Sequence, residues 1–299
     1  MGAELLDGKK LAAEMREEIR GKVAELKASK QIEPGLGVLL VGENPASVSY
    51  VTAKEKACAE AGIRSKEIRL PATATQNEIV AVVQQLNADP QIHGILVQLP
   101  LPKGIDENAV IEAISPEKDV DGFTPVNVGR MMIGLPCFLP CTPHGIIRML
   151  LKAGVETAGK HAVVIGRSNI VGKPVAHLLS RKGPGGDATV TICHTRTRDL
   201  AFYTKNADIL IVAAGHANTV TGDMVKPGAV VIDVGVNRIP DATRTRGYRL
   251  CGDVDFDSVS QVASLLTPVP GGVGPLTITM LLFNTLEAAA RTAGADAAV

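Results

Sequence analysis

A tyrosine and a lysine lie four residues apart in the segment "SVSYVTAKEKACAEAG", from Ser47 to Gly62. The segment is rich in alanine and ends on a glycine, which predicts a helix with Gly62 just past its C-terminus. Residues four apart share one helical face, so Tyr50 and Lys54 lie together, with Ser47 one turn earlier. A lysine on a helix is ordinarily a solvated charge. Acid–base chemistry at Lys54 therefore requires burial or neighbours that lower its pKa.

Two further polar residues, Gln98 and Asp121, are candidates for a ligand site. Gln98 lies in "VQLPLP", at the end of a predicted strand, and open α/β sheets bind ligands at the carboxyl ends of their strands. A glutamine in such an apolar run must find hydrogen-bond partners, and a satisfied core glutamine is the plain alternative. Asp121 precedes a glycine in "KDVDGF", which by itself is an ordinary Asp-Gly turn.

A glycine-containing turn in "VVIGRSNIVGKP" follows a predicted strand and opens a predicted helix. In this context, backbone amides and the helix N-terminus attract a pyrophosphate. The pattern departs from G-x-G-x-x-G: Gly166 is the first glycine, Ser168 and Val171 replace the second and third, and Gly172 comes one later. A glycine turn made only for packing remains the alternative.

The following strand favours NADP over NAD. An NAD site places an acidic residue about twenty positions after the glycine turn, near the ribose. Asp187 has that spacing but falls in the turn "GPGGD" before the strand. The far end of the strand, "CHTRTRD", instead offers the hydroxyl of Thr195 and the guanidinium groups of Arg196 and Arg198, and Arg167 lies in the glycine turn itself. Arginine matches phosphate bidentately, so these residues suit a ribose phosphate.

Short apolar runs alternate with helical patterns along the chain, which predicts α/β architecture with parallel sheets. A first series contains "GLGVLLVG" and "GILVQLP", with helices from Ser47 and from Gln76 to Ala88. A second series, "HAVVIGR", "ATVTICH", "ADILIVAAG" and "AVVIDVG", is typical of a doubly wound Rossmann-type sheet. The helix that begins in "PCTPHG" marks the boundary, and the chain ends on an apolar-faced helix after "TPVPGGVGP".

Composition excludes several classes of protein. With 31 basic and 31 acidic residues, the chain has no electrostatic footprint for nucleic acid or an anionic membrane. The basic cluster from Thr243 to Arg249 reads as a solvated loop or hairpin. Five scattered cysteines predict reduced thiols in the cytoplasm, and neither they nor the histidines show metal-site spacing. No targeting signal and no apolar run long enough to cross a bilayer is expected.

Taken together, eight motifs in order resemble one family: "YVTAK", "VQLPLP", "KDVDGF", "PCTP", "GRSNIVGKP", "VIDVGVNR", "GDVDF" and "TPVPGGVGP". This family is the bifunctional methylenetetrahydrofolate dehydrogenase/methenyltetrahydrofolate cyclohydrolase, and the resemblance covers nearly the whole chain. It implies a folate domain (1–142 and 277–299) completed by the returning C-terminal helix, a Rossmann-type NADP domain (143–276), a cleft between them and a homodimer.

The resemblance also implies roles for individual residues. Lys54 matches the catalytic lysine, Gln98 its partner, Tyr50 the folate-stacking tyrosine and Asp121 the carboxylate that holds the pterin. The implied substrate is a one-carbon derivative of tetrahydrofolate, the implied cofactor is NADP, and no metal is implied. Further substrate contacts are implied at Val97, Leu99, Pro270, Gly271 and Gly272. Cofactor contacts are implied at Gly166, Arg167, Ser168, Thr195, Arg196 and Val236.

Two alternatives stay open from the sequence. The first is an NADP-dependent dehydrogenase of another small substrate, against which the joint presence of Tyr50, Lys54, Gln98 and Asp121 argues. The second is a nucleotide-sensing module that binds NADP and signals through a partner, which no appended interaction domain supports.

Overall fold

The computed structural model describes residues 2–244 and 247–294, which form two compact units. We call them the three-stranded unit (Ala13–Cys141 and the residues from Ile278) and the six-stranded unit (the residues up to Ala12 and Thr142–Thr277), after their main sheets. The main difference between the predicted domains and these units is at residues 2–12, which pack in the six-stranded unit. The assignment of folate to one unit and NADP to the other stays a prediction.

The elements follow one another along the chain in mixed α/β order. They are β1 (Glu4–Leu5), α1 (Gly8–Lys30), β2 (Gly35–Val41), α2 (Pro45–Ala61), β3 (Arg64–Leu70), α3 (Gln76–Ala88), β4 (Gly94–Val97), α4 (Glu107–Glu112), α5 (Pro125–Met132), α6 (Cys141–Lys152), β5 (His161–Ile165), α7 (Gly172–Ser180), β6 (Thr189–Cys193), α8 (Leu200–Thr204), β7 (Ile209–Val212), a 3-10 turn (Gly222–Met224), β8 (Val230–Asp233), β9 (Asn237–Pro240), β10 (Tyr248–Cys251), α9 (Phe256–Val259), β11 (Leu265–Leu266) and α10 (Val273–Thr292).

The three-stranded sheet has the order β3-β2-β4, and its strands are parallel. Every residue of β2 is buried, as expected for a central strand that is covered on both faces. Ile79, Val83 and Leu86 of α3 pack against apolar side chains of β2 and β4. Strand β3 was not predicted, because its sequence "RSKEIRL" carries the charges typical of a sheet edge instead of an apolar run.

The six-stranded sheet has the order β1-β11-β8-β7-β5-β6, and it too is parallel. Strands β5 to β8 of this sheet are the predicted Rossmann-type series, which confirms the α/β fold class. Strand β1 explains why the N-terminal residues belong here: Glu4 and Leu5 pair with Leu265 and Leu266 of β11. Strands β9 and β10 form the predicted antiparallel hairpin, although Thr245 and Arg246 lie outside the described residues.

The C-terminal helix α10 returns to the three-stranded unit, where Arg16 of α1 donates a hydrogen bond to Thr279 Oγ1 at 3.0 Å. Among the described residues, α10 is the one helix long and apolar enough to cross a membrane by length and composition. The expectation that no such segment exists was therefore wrong, since threonines and an asparagine interrupt the apolar run without making it polar. Burial of 72% of this stretch is typical of a core helix.

Candidate active site

Helix α2 places Lys54 inside the three-stranded unit. The helix begins after Asn44, whose side chain accepts hydrogen bonds from the amides of Ala46 and Ser47, and it ends at Gly62 in the left-handed conformation at φ 76°. This confirms the predicted helix and its glycine stop. Lys54 lies on the inner face and is only 5% exposed, so the solvated-charge reading of this lysine is excluded.

Gln98 holds the ammonium group of Lys54. Lys54 Nζ donates to Gln98 Oε1 at 3.1 Å, and Gln98 Nε2 donates to the Leu99 carbonyl at 2.7 Å, which fixes the orientation of the amide. Lys54 Nζ also lies 5.2 Å from the centre of the Tyr50 ring. Tyr50 is 39% exposed, so part of the residue is open to solvent. The structure thus brings together three of the predicted residues, and Val97 and Leu99 flank Gln98 at the end of β4.

Asp121 stands in a loop that two neighbouring residues anchor. Lys118 donates to the carbonyls of Asn87, in the last turn of α3, and of Asp89, just past its end, both at 2.8 Å. Asp119 is 1% exposed and accepts hydrogen bonds from the Thr124 amide and hydroxyl, the Asn127 side chain and the Phe123 amide. Sequence reasoning missed both anchors. The visible signal was the first aspartate in "KDVDGF", Asp119, which comes two residues before the aspartate of the Asp-Gly turn.

The C-terminal helix supplies a further anchor that sequence reasoning missed. Asn284 is buried on α10, and its side-chain amide donates to the Val120 carbonyl at 2.7 Å and to the Leu139 carbonyl at 3.1 Å. The Cys141 thiol donates to the same Val120 carbonyl at 3.3 Å. The loop that carries Asp121 is therefore held from the far end of the chain, which no local sequence pattern reveals.

Burial sets the protonation of this cluster. It lowers the pKa of Lys54, an effect that the negative charge of Asp121 opposes. Burial raises the pKa of Asp121, and the positive charge of Lys54 opposes that shift in turn. The Cys141 thiol also has a raised pKa through burial, so it stays a neutral donor beside Asp121. Lys54 is thereby made a better proton carrier near neutral pH than an exposed lysine.

In the six-stranded unit, the turn after β5 has the close backbone approach expected of a phosphate-binding loop. Gly166 has φ 119°, and a Cβ there would lie 2.2 Å from the Ala213 carbonyl oxygen. A Cβ on Gly172 would lie 2.2 Å from the Gly166 carbonyl oxygen. Ser168 Oγ accepts from the amides of Val171 and Gly172, at 3.1 and 3.2 Å. Helix α7 begins at Gly172 without a side-chain cap. This loop fits a pyrophosphate at a helix N-terminus.

The residues after β6 are arranged to face outward. Thr195 and Arg196 are exposed in a turn closed by the His194 amide, which donates to Thr197 Oγ1 at 2.9 Å, and by the Arg196 amide, which donates to His194 Nδ1 at 3.1 Å. Asp187 instead accepts from the Gly183 amide at 2.9 Å within its own turn. Its carboxylate is thus engaged in a local hydrogen bond.

The remaining predicted residues all lie in the six-stranded unit. Val236 follows β8 and is 64% exposed, and Arg167 is exposed beside Gly166. Pro270 is exposed, whereas Gly271 and Gly272 are buried, and the Gly271 carbonyl accepts from the Lys9 amide at 3.0 Å. The implied substrate contacts are therefore divided between the two units. Within the described residues, no group of three or more His, Cys, Asp or Glu side chains is arranged to hold a metal.

The fold and these two sites define a two-unit α/β enzyme with a Rossmann-type nucleotide unit and a buried lysine cluster. A family model described as "Tetrahydrofolate dehydrogenase/cyclohydrolase, catalytic domain" matches residues 6–121, and one described as the NAD(P)-binding domain of the same family matches residues 140–293. The bifunctional protein FolD of Geobacillus thermodenitrificans is 60% identical over 293 residues, which cover 98% of this chain and 99% of that protein.

Solved structures agree with this similarity. The bifunctional FolD enzyme of Campylobacter jejuni is 50% identical with a TM-score of 0.91, covering 97% of this chain and 99% of that one. The methylenetetrahydrofolate dehydrogenase-cyclohydrolase of Trypanosoma brucei, complexed with NADP and an inhibitor, is 42% identical with a TM-score of 0.94, covering 99% and 100%. The chain belongs to the tetrahydrofolate dehydrogenase/cyclohydrolase family and is a bifunctional enzyme, as the sequence motifs predicted.

Proposed function

We propose that this enzyme uses NADP⁺ to oxidise methylenetetrahydrofolate to methenyltetrahydrofolate and then hydrolyses that product to formyltetrahydrofolate, with Lys54 as the acid–base group. The observation that carries the proposal is the buried ammonium group of Lys54, 3.1 Å from Gln98 Oε1 and 5.2 Å from the ring centre of the partly exposed Tyr50. Family membership supports the activity pair and disfavours both alternatives left open from the sequence, another dehydrogenase and a sensing module.

The oxidation needs alignment more than acid–base help. A hydride leaves the methylene carbon with its bonding electron pair, and two neighbouring substrate nitrogens stabilise the resulting methenyl cation. When bound, NADP⁺ supplies the acceptor for that hydride. The protein's part is to hold two flat ligands in order, with the Gly166–Ser168 turn on the cofactor and Tyr50 on the substrate. Tyr50 offers an apolar ring face for the aminobenzoate ring.

The hydrolysis is the step that needs Lys54. Water adds its oxygen to the methenyl carbon and loses both of its protons as the formyl C=O forms, while a carbon–nitrogen bond of the ring breaks and leaves its electron pair on nitrogen. The freed nitrogen takes up one of the two protons, so one proton is released overall. Lys54 accepts the proton of water as a neutral amine, which its lowered pKa favours, and returns a proton to the nitrogen. Gln98 orients the amine through its fixed amide oxygen. Asp121 holds the pterin by accepting from its amino and ring N–H groups.

NADP is the proposed cofactor, in preference to NAD. The exposed Thr195 and Arg196 after β6 support a site for the ribose phosphate, and a relative of this chain is solved with NADP. Parallel assays with NADP⁺ and NAD⁺ test this preference. We expect the enzyme to reduce NADP⁺ at lower cofactor concentrations than it needs to reduce NAD⁺. Reduction of NAD⁺ alone would overturn the cofactor assignment while leaving the enzyme class intact.

The role of Lys54 is tested by Lys54→Met, with Lys56→Met as the matched control. Lys56 lies on the same helix with its side chain 78% exposed, and its replacement should change neither activity. We expect Lys54→Met to lose cyclohydrolase activity by at least about a hundredfold, the usual range for removal of a general acid–base. Full cyclohydrolase activity in a folded Lys54→Met variant would exclude the proposed role.

A cytoplasmic homodimer completes the proposal, since the family resemblance implies pairing. Sedimentation equilibrium of the purified protein tests the oligomeric state, with a mass of about twice the chain's 31.2 kDa expected.

A further inference from the structure

Two buried aspartates in the six-stranded unit have no part in the function proposed so far. Asp233 ends strand β8 and is 4% exposed, and Asp253 lies after β10 and is 0% exposed. Buried carboxylates are expensive unless they are well hydrogen-bonded, so a reason for each must be visible in its partners. Both aspartates turn out to join separate loops.

Asp233 joins the end of β8 to the loop after β10. Its Oδ1 accepts from the Gly235 amide at 3.0 Å and from the Asp253 amide at 2.9 Å, and its Oδ2 accepts from the Val254 amide at 3.0 Å. A Cβ on Gly252 would lie 1.7 Å from Asp233 Oδ2, so the backbone is packed directly on the carboxylate. Asp233 thereby fixes the position from which Asp253 projects.

Asp253 joins the loops that follow two neighbouring strands. Its Oδ2 accepts from the Gly215 amide, after β7, at 2.7 Å, and its Oδ1 accepts from the Asn237 side chain, after β8, at 2.8 Å. A Cβ on Gly235 would lie 2.1 Å from Asp253 Oδ1, so this loop also rests on the carboxylate. Strands β7 and β8 are adjacent and parallel, which puts both loops at the carboxyl edge of the sheet.

The loop held by Asp253 is in contact with the glycine turn. Gly215 follows Ala213 by two residues, and the Ala213 carbonyl oxygen lies against Gly166, where a Cβ would approach to 2.2 Å. The Ala213 amide also donates to the Ile165 carbonyl, just before that turn, at 2.8 Å. The carboxyl edge is where open α/β sheets bind nucleotides, so a shift of the Gly215 loop would displace the residues that contact the glycine turn at the proposed cofactor site.

We propose that Asp253 is a positioning residue for the nicotinamide cofactor. Its carboxylate sets the distance between the loops after β7 and β8, and so sets the shape of the surface that bears Gly166 on one side and the exposed Val236 on the other. The inference rests on the proposed NADP-dependent function. It assigns Asp253 no contact with the cofactor; the carboxylate acts through Gly215 and Asn237.

The test is Asp253→Asn, measured by the dissociation constant for NADPH from its fluorescence. An asparagine presents one acceptor and one donor where the structure offers two donors, so its amide group must face either the Gly215 N–H or the Asn237 amide. We expect NADPH to bind about tenfold more weakly, as for loss of a charge-assisted hydrogen bond. Hydrolysis of methenyltetrahydrofolate, which uses no NADP, should stay within about twofold. Asp257→Asn, an exposed aspartate on α9, is the control and should change neither quantity.

The outcomes separate the inference from the function on which it rests. Wild-type protein that binds no NADPH would overturn the proposed function itself. Wild-type-like NADPH binding by folded Asp253→Asn would overturn the positioning role alone. An equal fall in NADPH binding and in hydrolysis, together with a lower melting temperature, would show a merely structural role.

A second variant covers the case in which Asp253→Asn fails to fold. Asn237→Ala removes the neutral donor to Asp253 and to the Gly252 carbonyl and leaves the carboxylate bound to Gly215, so it disturbs one of the two loops. We expect NADPH to bind about threefold more weakly, with hydrolysis unchanged, as for loss of the hydrogen bonds of one neutral side chain. Unchanged NADPH binding by this variant would contradict the inference.

Discussion

Each unit of this enzyme contains a pair of aspartates that have lost most of their contact with water, and the two pairs are built differently. In the six-stranded unit, both Asp233 and Asp253 accept hydrogen bonds from two or more donors of the surrounding loops. In the three-stranded unit, Asp119 accepts four hydrogen bonds, whereas Asp121 interacts with Lys54 through charge and with the Cys141 thiol. In the six-stranded unit, hydrogen-bond donors of the protein occupy both carboxylates. In the three-stranded unit, the Asp121 carboxylate keeps acceptor capacity for a ligand.

The difference shows how a carboxylate is made structural or functional within two residues of sequence. A carboxylate surrounded by backbone donors fixes loops and has little capacity left for a ligand. A carboxylate left beside a buried lysine retains acceptor capacity, at the cost of a raised pKa through burial. The same comparison predicts which aspartate should affect stability and which should affect substrate binding.

The largest effect is expected from Asp119→Ala. This change leaves the Thr124 amide and hydroxyl, the Phe123 amide and the Asn127 side chain without their acceptor, so we expect the free energy of unfolding to fall by about 4 kcal/mol. Urea denaturation measures it. Asp121→Ala, two residues away, is the matched control and should cost less than about 1 kcal/mol. Equal losses for the two variants would remove the distinction between the aspartates.

A pH-dependent effect of about 3 kcal/mol is expected from Asp233. Burial raises its pKa from 3.8 to about 6. The folded state therefore holds this proton more tightly than the unfolded state does, and the free energy of unfolding should fall as pH rises from about 4 to about 6, by about 3 kcal/mol for this group. Urea denaturation of wild-type protein and Asp233→Asn at several pH values isolates the contribution. The variant should lack this fall; parallel curves would show that Asp233 has an ordinary pKa.

Asp121→Asn should act on substrate binding and leave stability almost unchanged. The amide keeps the shape of the carboxyl but replaces one acceptor by a donor, so it can no longer accept from two pterin N–H groups. We expect the dissociation constant for tetrahydrofolate, measured by calorimetry, to rise about tenfold. The free energy of unfolding should stay within about 0.5 kcal/mol. Unchanged affinity would exclude Asp121 from the pterin site.

Much of the framework on which these predictions stand was predictable from sequence. The apolar runs of β2, β4 and β5 to β8 identified these parallel strands, and Gly62 correctly marked the end of α2. For these elements, the signal lay within a few residues of the feature that it predicted. The pairing of Lys54 with Gln98 was implied by the family resemblance of "YVTAK" and "VQLPLP", and the two side chains are hydrogen-bonded in the structure.

The anchoring residues could not be predicted from the sequence, because their hydrogen-bond and strand partners are distant along the chain. Asn284 holds a carbonyl 164 residues earlier in the chain, and Asp253 holds an amide 38 residues away. Strand β1 pairs with β11 at the opposite end of the chain. Such contacts depend on how elements pack, and a polar residue in an apolar helix or a turn does not reveal which loop it will meet.

The smallest effect is expected at Cys141, which tests how far Asp121 depends on its neighbours. Its thiol is 2% exposed, donates to the Val120 carbonyl and lies beside the Asp121 carboxyl. Cys141→Ser keeps a donor at this place and Cys141→Ala removes it. We expect Cys141→Ala to weaken tetrahydrofolate binding about threefold, and Cys141→Ser to stay within about twofold of wild type. An equal loss in both variants would mean that the thiol acts by packing alone, and that Asp121 is held by its loop and by Lys54 without a third partner.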